Sequence, residues 1–184
     1  LRAFARTEAH YLQILPESSF TEILPVIYSD MMRGWHHHPL EDDGEHFQNS
    51  ASNWPPFPDT VPALEELKEY FRLVAVTNSD TYYLNYMSAR MGDPFDEAVT
   101  CDQVGVNKPD HRLFLEVKRR LGAKGVALKE ILHLAQSQYH DIIPVTELGW
   151  ASVWIHRRHN QPGFGATPEP YRTVEPSFTA RSMS

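Results

Sequence analysis

Along the first third of the chain, apolar residues recur at helical spacing. Phe4, Tyr11 and Leu15 share one face with charges between them, which predicts an amphipathic helix over residues 1–16 ended by Pro16. Phe20, Ile23, Leu24, Ile27, Met31 and Trp35 form a second, clearer stripe. Ser19 and Glu22 have capping-box spacing, yet Pro25 lies deep for a helix starting there, so this helix is expected to kink or to begin near Leu24. Gly34 to Asp43 reads as a loop. Its run of His36, His37 and His38 does not suit a metal, since adjacent side chains on any regular backbone point in different directions.

After the stiff, proline-rich and aromatic connector at residues 53–59, NWPPFPD, the pattern changes to alternating helix and strand. Helices are predicted at about 61–71, 80–91, 111–121 and 141–149, and strands at 73–77, 98–100, 131–135 and 151–155. The run LVAVTNSD, from Leu73 to Asp80, is apolar enough for a strand covered on both faces, and it stops at small polar side chains. Such alternation predicts an α/β fold with right-handed crossovers and a parallel sheet. Residues 1–53 then form a small helical unit, 54–60 a hinge, 61–158 the α/β core, and 159–184 a loop-rich tail.

Composition narrows the class of partner. The chain has 184 residues, enough for one α/β domain and a small appendage, and a formal charge of -7. Without a cluster of Lys and Arg, a nucleic-acid partner is not expected, whereas a small anionic substrate is compatible with one local positive site. No apolar run reaches membrane-spanning length, and LRAFARTEAH lacks the apolar centre of a signal peptide. The single cysteine, Cys101, is expected in the core and suits a reducing cytoplasm. Nothing in the composition opposes a homodimer.

Polar residues collect where three strands should end, the edge at which open α/β sheets bind ligands. They are Thr77, Asn78 and Ser79, then Lys108 in GVNKPDH, then Gln136, Ser137, Gln138 and Asp141 in AQSQYHD. Singly, Thr77, Asn78 and Asp141 could be helix caps and Lys108 a solvated loop charge. Together they suggest one site: short hydroxyls and amides to hold an oxyanion, a lysine to neutralise an anion, and a carboxylate to hold the lysine.

TNS at 77–79, KPD at 108–110 and the run ILHLAQSQYHDIIPVTELGWASVWIHRR at 131–158 resemble the second, third and fourth motifs of the haloacid dehalogenase superfamily. WPPFPD at 54–59 and FGATP at 164–168 resemble its type II 2-haloacid dehalogenase-like branch. The resemblance implies a Rossmann-like core with a helical cap over residues 1–53, and no cofactor. It implies catalytic roles for Thr77, Asn78, Lys108 and Asp141, with Ser79, Gln136, Ser137 and Gln138 binding substrate. In that chemistry an aspartate displaces halide from the carbon beside a carboxylate, and water then hydrolyses the ester.

The family's nucleophile lies in a first motif, on a strand upstream of the cap. This chain opens on Leu1 inside the cap pattern, and its first aspartate is Asp30, so the nucleophile and its strand are expected to be missing. An unpaired, buried sheet edge would follow, with low stability and no turnover for the chain alone. Gln136 stands where phosphatases of the superfamily carry an acid for magnesium, which favours the metal-free branch. Phe114 and Gln138 stand where dehalogenases place a tyrosine and an asparagine. A magnesium-dependent phosphatase and a truncated, non-catalytic relative are the competing readings.

Overall fold

The computed structural model describes residues 1–184. Helices α1 (Arg2–Ile14), α2 (Phe20–Gly34) and α3 (Asp43–Ser50) make an amino-terminal helical unit, here termed the cap. The Ser19–Glu22 capping box forms, so α2 begins at Phe20 rather than Leu24 and carries Pro25 within it. The satisfied first turn outweighs the one hydrogen bond that a proline forgoes. α3 was not expected, because its short polar sequence DGEHFQNS shows little periodicity. The three histidines lie exposed in the loop after α2.

The core follows as α4 (Thr60–Lys68), β1 (Val74–Thr77), α5 (Thr81–Arg90), β2 (Glu97–Thr100) and the short α6 (Cys101–Val104). Then come α7 (His111–Ala123), β3 (Leu132–Ala135), a π-helical turn at Gln138–Ile142, α8 (Ile143–Glu147) and β4 (Ala151–Ile155). The irregular carboxyl-terminal segment also supplies a strand, β5 (Phe178–Ala180), parallel to β4. Alternation is weak over three residues, which is why this strand was not legible beforehand.

All pairings are parallel, but the strands form two sheets, β1–β2 and β3–β4–β5. β1 and β3 each have a hydrogen-bonded neighbour on one side only. The expectation that β1 is covered on both faces fails accordingly: only Ala75 of its four residues is buried. On β3, Leu132 and Leu134 remain 48% and 38% exposed, unusual for a strand of a parallel sheet.

The core proper lies on the other face. Val99, Cys101, Val106, Leu113, Phe114, Val117, Val145 and Trp150 pack together, joining β2, α7 and α8. Cys101 is a core residue, and its thiol donates to the Asn78 carbonyl oxygen at 2.8 Å. The cap has its own cluster of Leu12, Ile23 and Ile27. A third cluster of Leu24, Ala51 and Tyr83 joins cap to core. Polar bonds reinforce that junction: Thr21 Oγ1 donates to Asp80, and Phe20 N donates to the Asn78 carbonyl at 3.2 Å.

Phe114 is fully buried and meets the rings of His133 and Trp150 edge-on. Phe114→Ala should lower unfolding free energy by about 3–5 kcal/mol through lost transfer energy and an unfilled cavity. Urea denaturation followed by circular dichroism checks this.

Candidate active site

The sequence places a lysine and an aspartate 33 positions apart, and the fold brings them into contact. Lys108 Nζ donates to Asp141 Oδ1 at 2.8 Å and to the Val76 carbonyl oxygen of β1 at 3.0 Å. Lys108 therefore bridges the end of β1 and the turn after β3, the two strands that share no hydrogen bonds with each other. Asp141 Oδ1 also accepts from His133 Nε2 at 3.0 Å. Both acid and base are largely buried, with side chains 7% and 13% exposed.

Burial by itself pushes the Asp141 carboxyl up, but Lys108 and His133 outweigh it and hold the group well below the usual carboxylate range. Asp141 is thus ionised, and its charge is committed to Lys108. It is not a helix cap: the cap of the turn is Ser137, whose Oγ accepts from His140 N at 2.9 Å.

The loop carrying Lys108 is held by Asn78. Asn78 Oδ1 accepts from Lys108 N at 2.6 Å, and Asn78 Nδ2 donates to the Lys108 carbonyl at 3.1 Å. Asn78 therefore orients Lys108 with both ends of its amide engaged. Thr77 Oγ1 accepts from Ser79 N at 3.0 Å, while Asp80 caps α5 through Tyr83 N. The Ser79 hydroxyl is buried without a partner.

The two glutamines face elsewhere. Gln138, fully buried, exchanges hydrogen bonds of 3.2 Å with both backbone groups of Val174. Gln136 Nε2 reaches the Phe164 carbonyl at 3.5 Å, and the Gln136 carbonyl accepts from Trp154 Nε1 at 2.9 Å. In this structure both anchor the carboxyl-terminal segment. No group of three or more His, Cys, Asp or Glu side chains is arranged to hold a metal ion.

A cleft of about 300 Å³ opens beside Lys108, with Leu12, Gln13 and Pro16 of the cap on one side and Asn107 and Tyr139 on the other. Next to it lie two residues that pattern reading missed, Glu8 on α1 and His140 in the π turn, 3.8 Å apart. Glu8 could have drawn notice as a carboxylate in line with Ala5 and Leu12 on the inward face of α1, and His133 as a basic ring between Leu132 and Leu134. Burial pushes the Glu8 carboxyl up to about 8, opposed only in part by Lys108. Burial also pushes the His140 imidazole down to about 4.

With this geometry in place, comparison with known proteins identifies the class. Residues 22–134, more than half of the chain, match the haloacid dehalogenase-like hydrolase model, and the chain belongs to that family. Glyceraldehyde 3-phosphate phosphatase of Methanopyrus kandleri is 33% identical over 105 residues, covering 55% of this chain and 44% of that protein. The Methanothermobacter thermautotrophicus protein of the same name is 33% identical over 104 residues, covering 55% and 45%. The chain thus spans about half the length of these relatives. L-2-haloacid dehalogenase from Xanthobacter autotrophicus, with chloropropionic acid covalently bound, superposes with a TM-score of 0.83 at 17% identity. That match covers 99% of this chain and 81% of the dehalogenase, and it is a likeness of fold.

Two outcomes follow from the electrostatics. Lys108→Met strands a buried carboxylate and should cost about 3–5 kcal/mol in urea denaturation, while Lys108→Met with Asp141→Leu should recover most of the loss. Glu8 holds its proton to a higher pH folded than unfolded, so its contribution to stability drains away as pH rises from 4.5 towards about 8. Glu8→Gln should therefore raise Tm relative to wild type more at about pH 8 than at about pH 5, read by scanning calorimetry.

Proposed function

We propose that this chain forms the cap and core of a dehalogenase-type hydrolase acting on a small 2-substituted carboxylic acid. The carrying observation is the Lys108 ammonium, held between Asp141 and the Val76 carbonyl at the junction of the two sheets. A cation fixed there can meet both a substrate carboxylate and an attacking carboxylate. In this reading the nucleophile belongs to an extended segment outside these 184 residues, seated between β1 and β3. The one-sided pairing of both strands and the exposure of Leu132 and Leu134 support that seat.

The reaction divides into two displacements. The nucleophilic carboxylate attacks the carbon beside the substrate carboxylate, forming a C–O bond as the carbon–halogen bond breaks and halide leaves with the electron pair. Water then adds to the ester carbonyl of the enzyme, releasing a 2-hydroxy acid and restoring the carboxylate. Lys108 offsets the negative charge of both reactants, Asp141 keeps Lys108 in place, and Asn78 fixes the loop that carries it.

The 33% identity to two phosphatases favours a second reading, magnesium-dependent phosphate ester hydrolysis. Within this chain the donor set is poor in anionic oxygen. Gln136 offers an amide directed at Phe164, and Asp141 Oδ1 already accepts from two donors. A small hard cation is best held by several anionic oxygens, and of these side chains only Asp141 supplies any.

The full-length protein should release chloride from 2-chloropropionate at a rate unchanged by EDTA. Lys108→Ala should lower that rate by about 100-fold or more, as expected for loss of a preorganised charge. Phosphate release from glyceraldehyde 3-phosphate that EDTA abolishes, without chloride release, would select the phosphatase instead.

A further inference from the structure

Glu8 and His140 come from different units, the cap helix α1 and the π turn of the core, yet they face each other out of reach of solvent. Glu8 is 5% exposed and His140 7%. Glu8 Oε1 lies 3.8 Å from His140 Nε2, too far for a hydrogen bond. Glu8 Oε2 and His140 Nε2 have no partner at all. Unpaired buried polar atoms are costly, and two of them converging across a domain junction mark a place for a third polar group. The other ring nitrogen, His140 Nδ1, is 3.4 Å from Ser137 Oγ, so the ring is held from behind with Nε2 presented to Glu8.

The location ties the pair to the cleft. Glu8 lies one helical turn before Leu12 on the same face of α1, and Leu12 lines the cleft with Lys108, so the pair sits behind the cleft wall rather than in its lining. Lys108 is close enough to act electrostatically on Glu8 and on His140. Burial drives both groups towards their neutral forms, so the pair is uncharged and attracts no ion of its own. A neutral carboxyl can donate or accept, and the neutral imidazole presents Nε2 as donor or acceptor according to its tautomer, so the facing atoms can offer a third group one donor and one acceptor.

We propose that Glu8 and His140 form a recognition site for a hydroxyl group on the ligand whose carboxylate meets Lys108. A hydroxyl suits the pair because it can accept from one member and donate to the other, which neither an alkyl group nor a halogen can do. The ligand class is a short hydroxylated carboxylate. This inference rests on Lys108 as the anion site of the preceding reading.

Isothermal titration of the protein with acetate, glycolate, propionate and 3-hydroxypropionate tests it. At least one hydroxylated acid should bind about tenfold more tightly than its parent acid, the gain of roughly one well-placed hydrogen bond. Glu8→Gln, which keeps a donor and an acceptor, should retain the preference. Glu8→Leu and His140→Phe should each abolish it while leaving parent-acid affinity within about twofold. Lys108→Ala should weaken all four acids. Lys108-dependent binding with no hydroxyl preference, or a preference that Glu8→Leu and His140→Phe leave intact, overturns the hydroxyl site and leaves the anion site standing. Binding of all four acids that ignores Lys108→Ala removes the anion site and this inference with it.

Discussion

The buried contact between Lys108 and Asp141 is the interaction on which the rest of this structure depends. The strands fall into two separate sheets, and no ladder of backbone hydrogen bonds joins them. Lys108 touches both, through the Val76 carbonyl of one and through Asp141 after the last residue of β3 in the other. Burying two charges is costly, and their attraction repays that cost only when hydrogen bonds satisfy the remaining donors and acceptors. His133 supplies one to the carboxylate and the Val76 carbonyl accepts one from the ammonium, while Asn78 holds the lysine's own backbone. Phe114 fixes the His133 ring in turn. A site built this way is rigid because each member is held by another.

The cap is joined to the core at the same strand end. The segment after β1 places Asn78 on the Lys108 loop, lends its carbonyl to Phe20 of the cap, and directs Asp80 at both Thr21 and the first turn of α5. From the other side, Asn107 Nδ2 donates to the Ser18 carbonyl at 2.6 Å, one residue from Lys108. The cap is therefore hydrogen-bonded both to the residue next to Lys108 and to the asparagine that holds the Lys108 backbone. The hinge adds a separate tie, where Arg157 Nη1 meets both oxygens of Asp59 at 2.9 Å and its guanidinium lies 4.2 Å from the Phe57 ring centroid.

Two kinds of electrostatic environment sit side by side here. Around Asp141, paired charges keep the carboxylate ionised despite burial. Around Glu8, burial without a close cation drives a carboxyl towards its neutral form. The difference lies in distance to Lys108, which hydrogen-bonds Asp141 and acts on Glu8 only through space. One lysine thus leaves two neighbouring carboxyl groups with opposite protonation preferences, a combination suited to binding a ligand with one charged and one uncharged polar end.

Read as a linear pattern, the chain already specifies an alternating α/β fold and places Lys108 and Asp141 at strand ends, because strand and helix periods and strand-end chemistry are local properties. Ser19 and Glu22 have the spacing of a capping box, but with Pro25 downstream the pattern alone leaves the start of α2 open, and only the built turn places it at Phe20. Tertiary structure decided what depended on partners distant in sequence. Asn78 proved to hold the Lys108 backbone, Gln138 to anchor Val174, and Glu8 to face His140 from 132 positions away. Periodicity records which face of an element is apolar, and it carries no information about which buried polar atom will find a partner and which will be left without one.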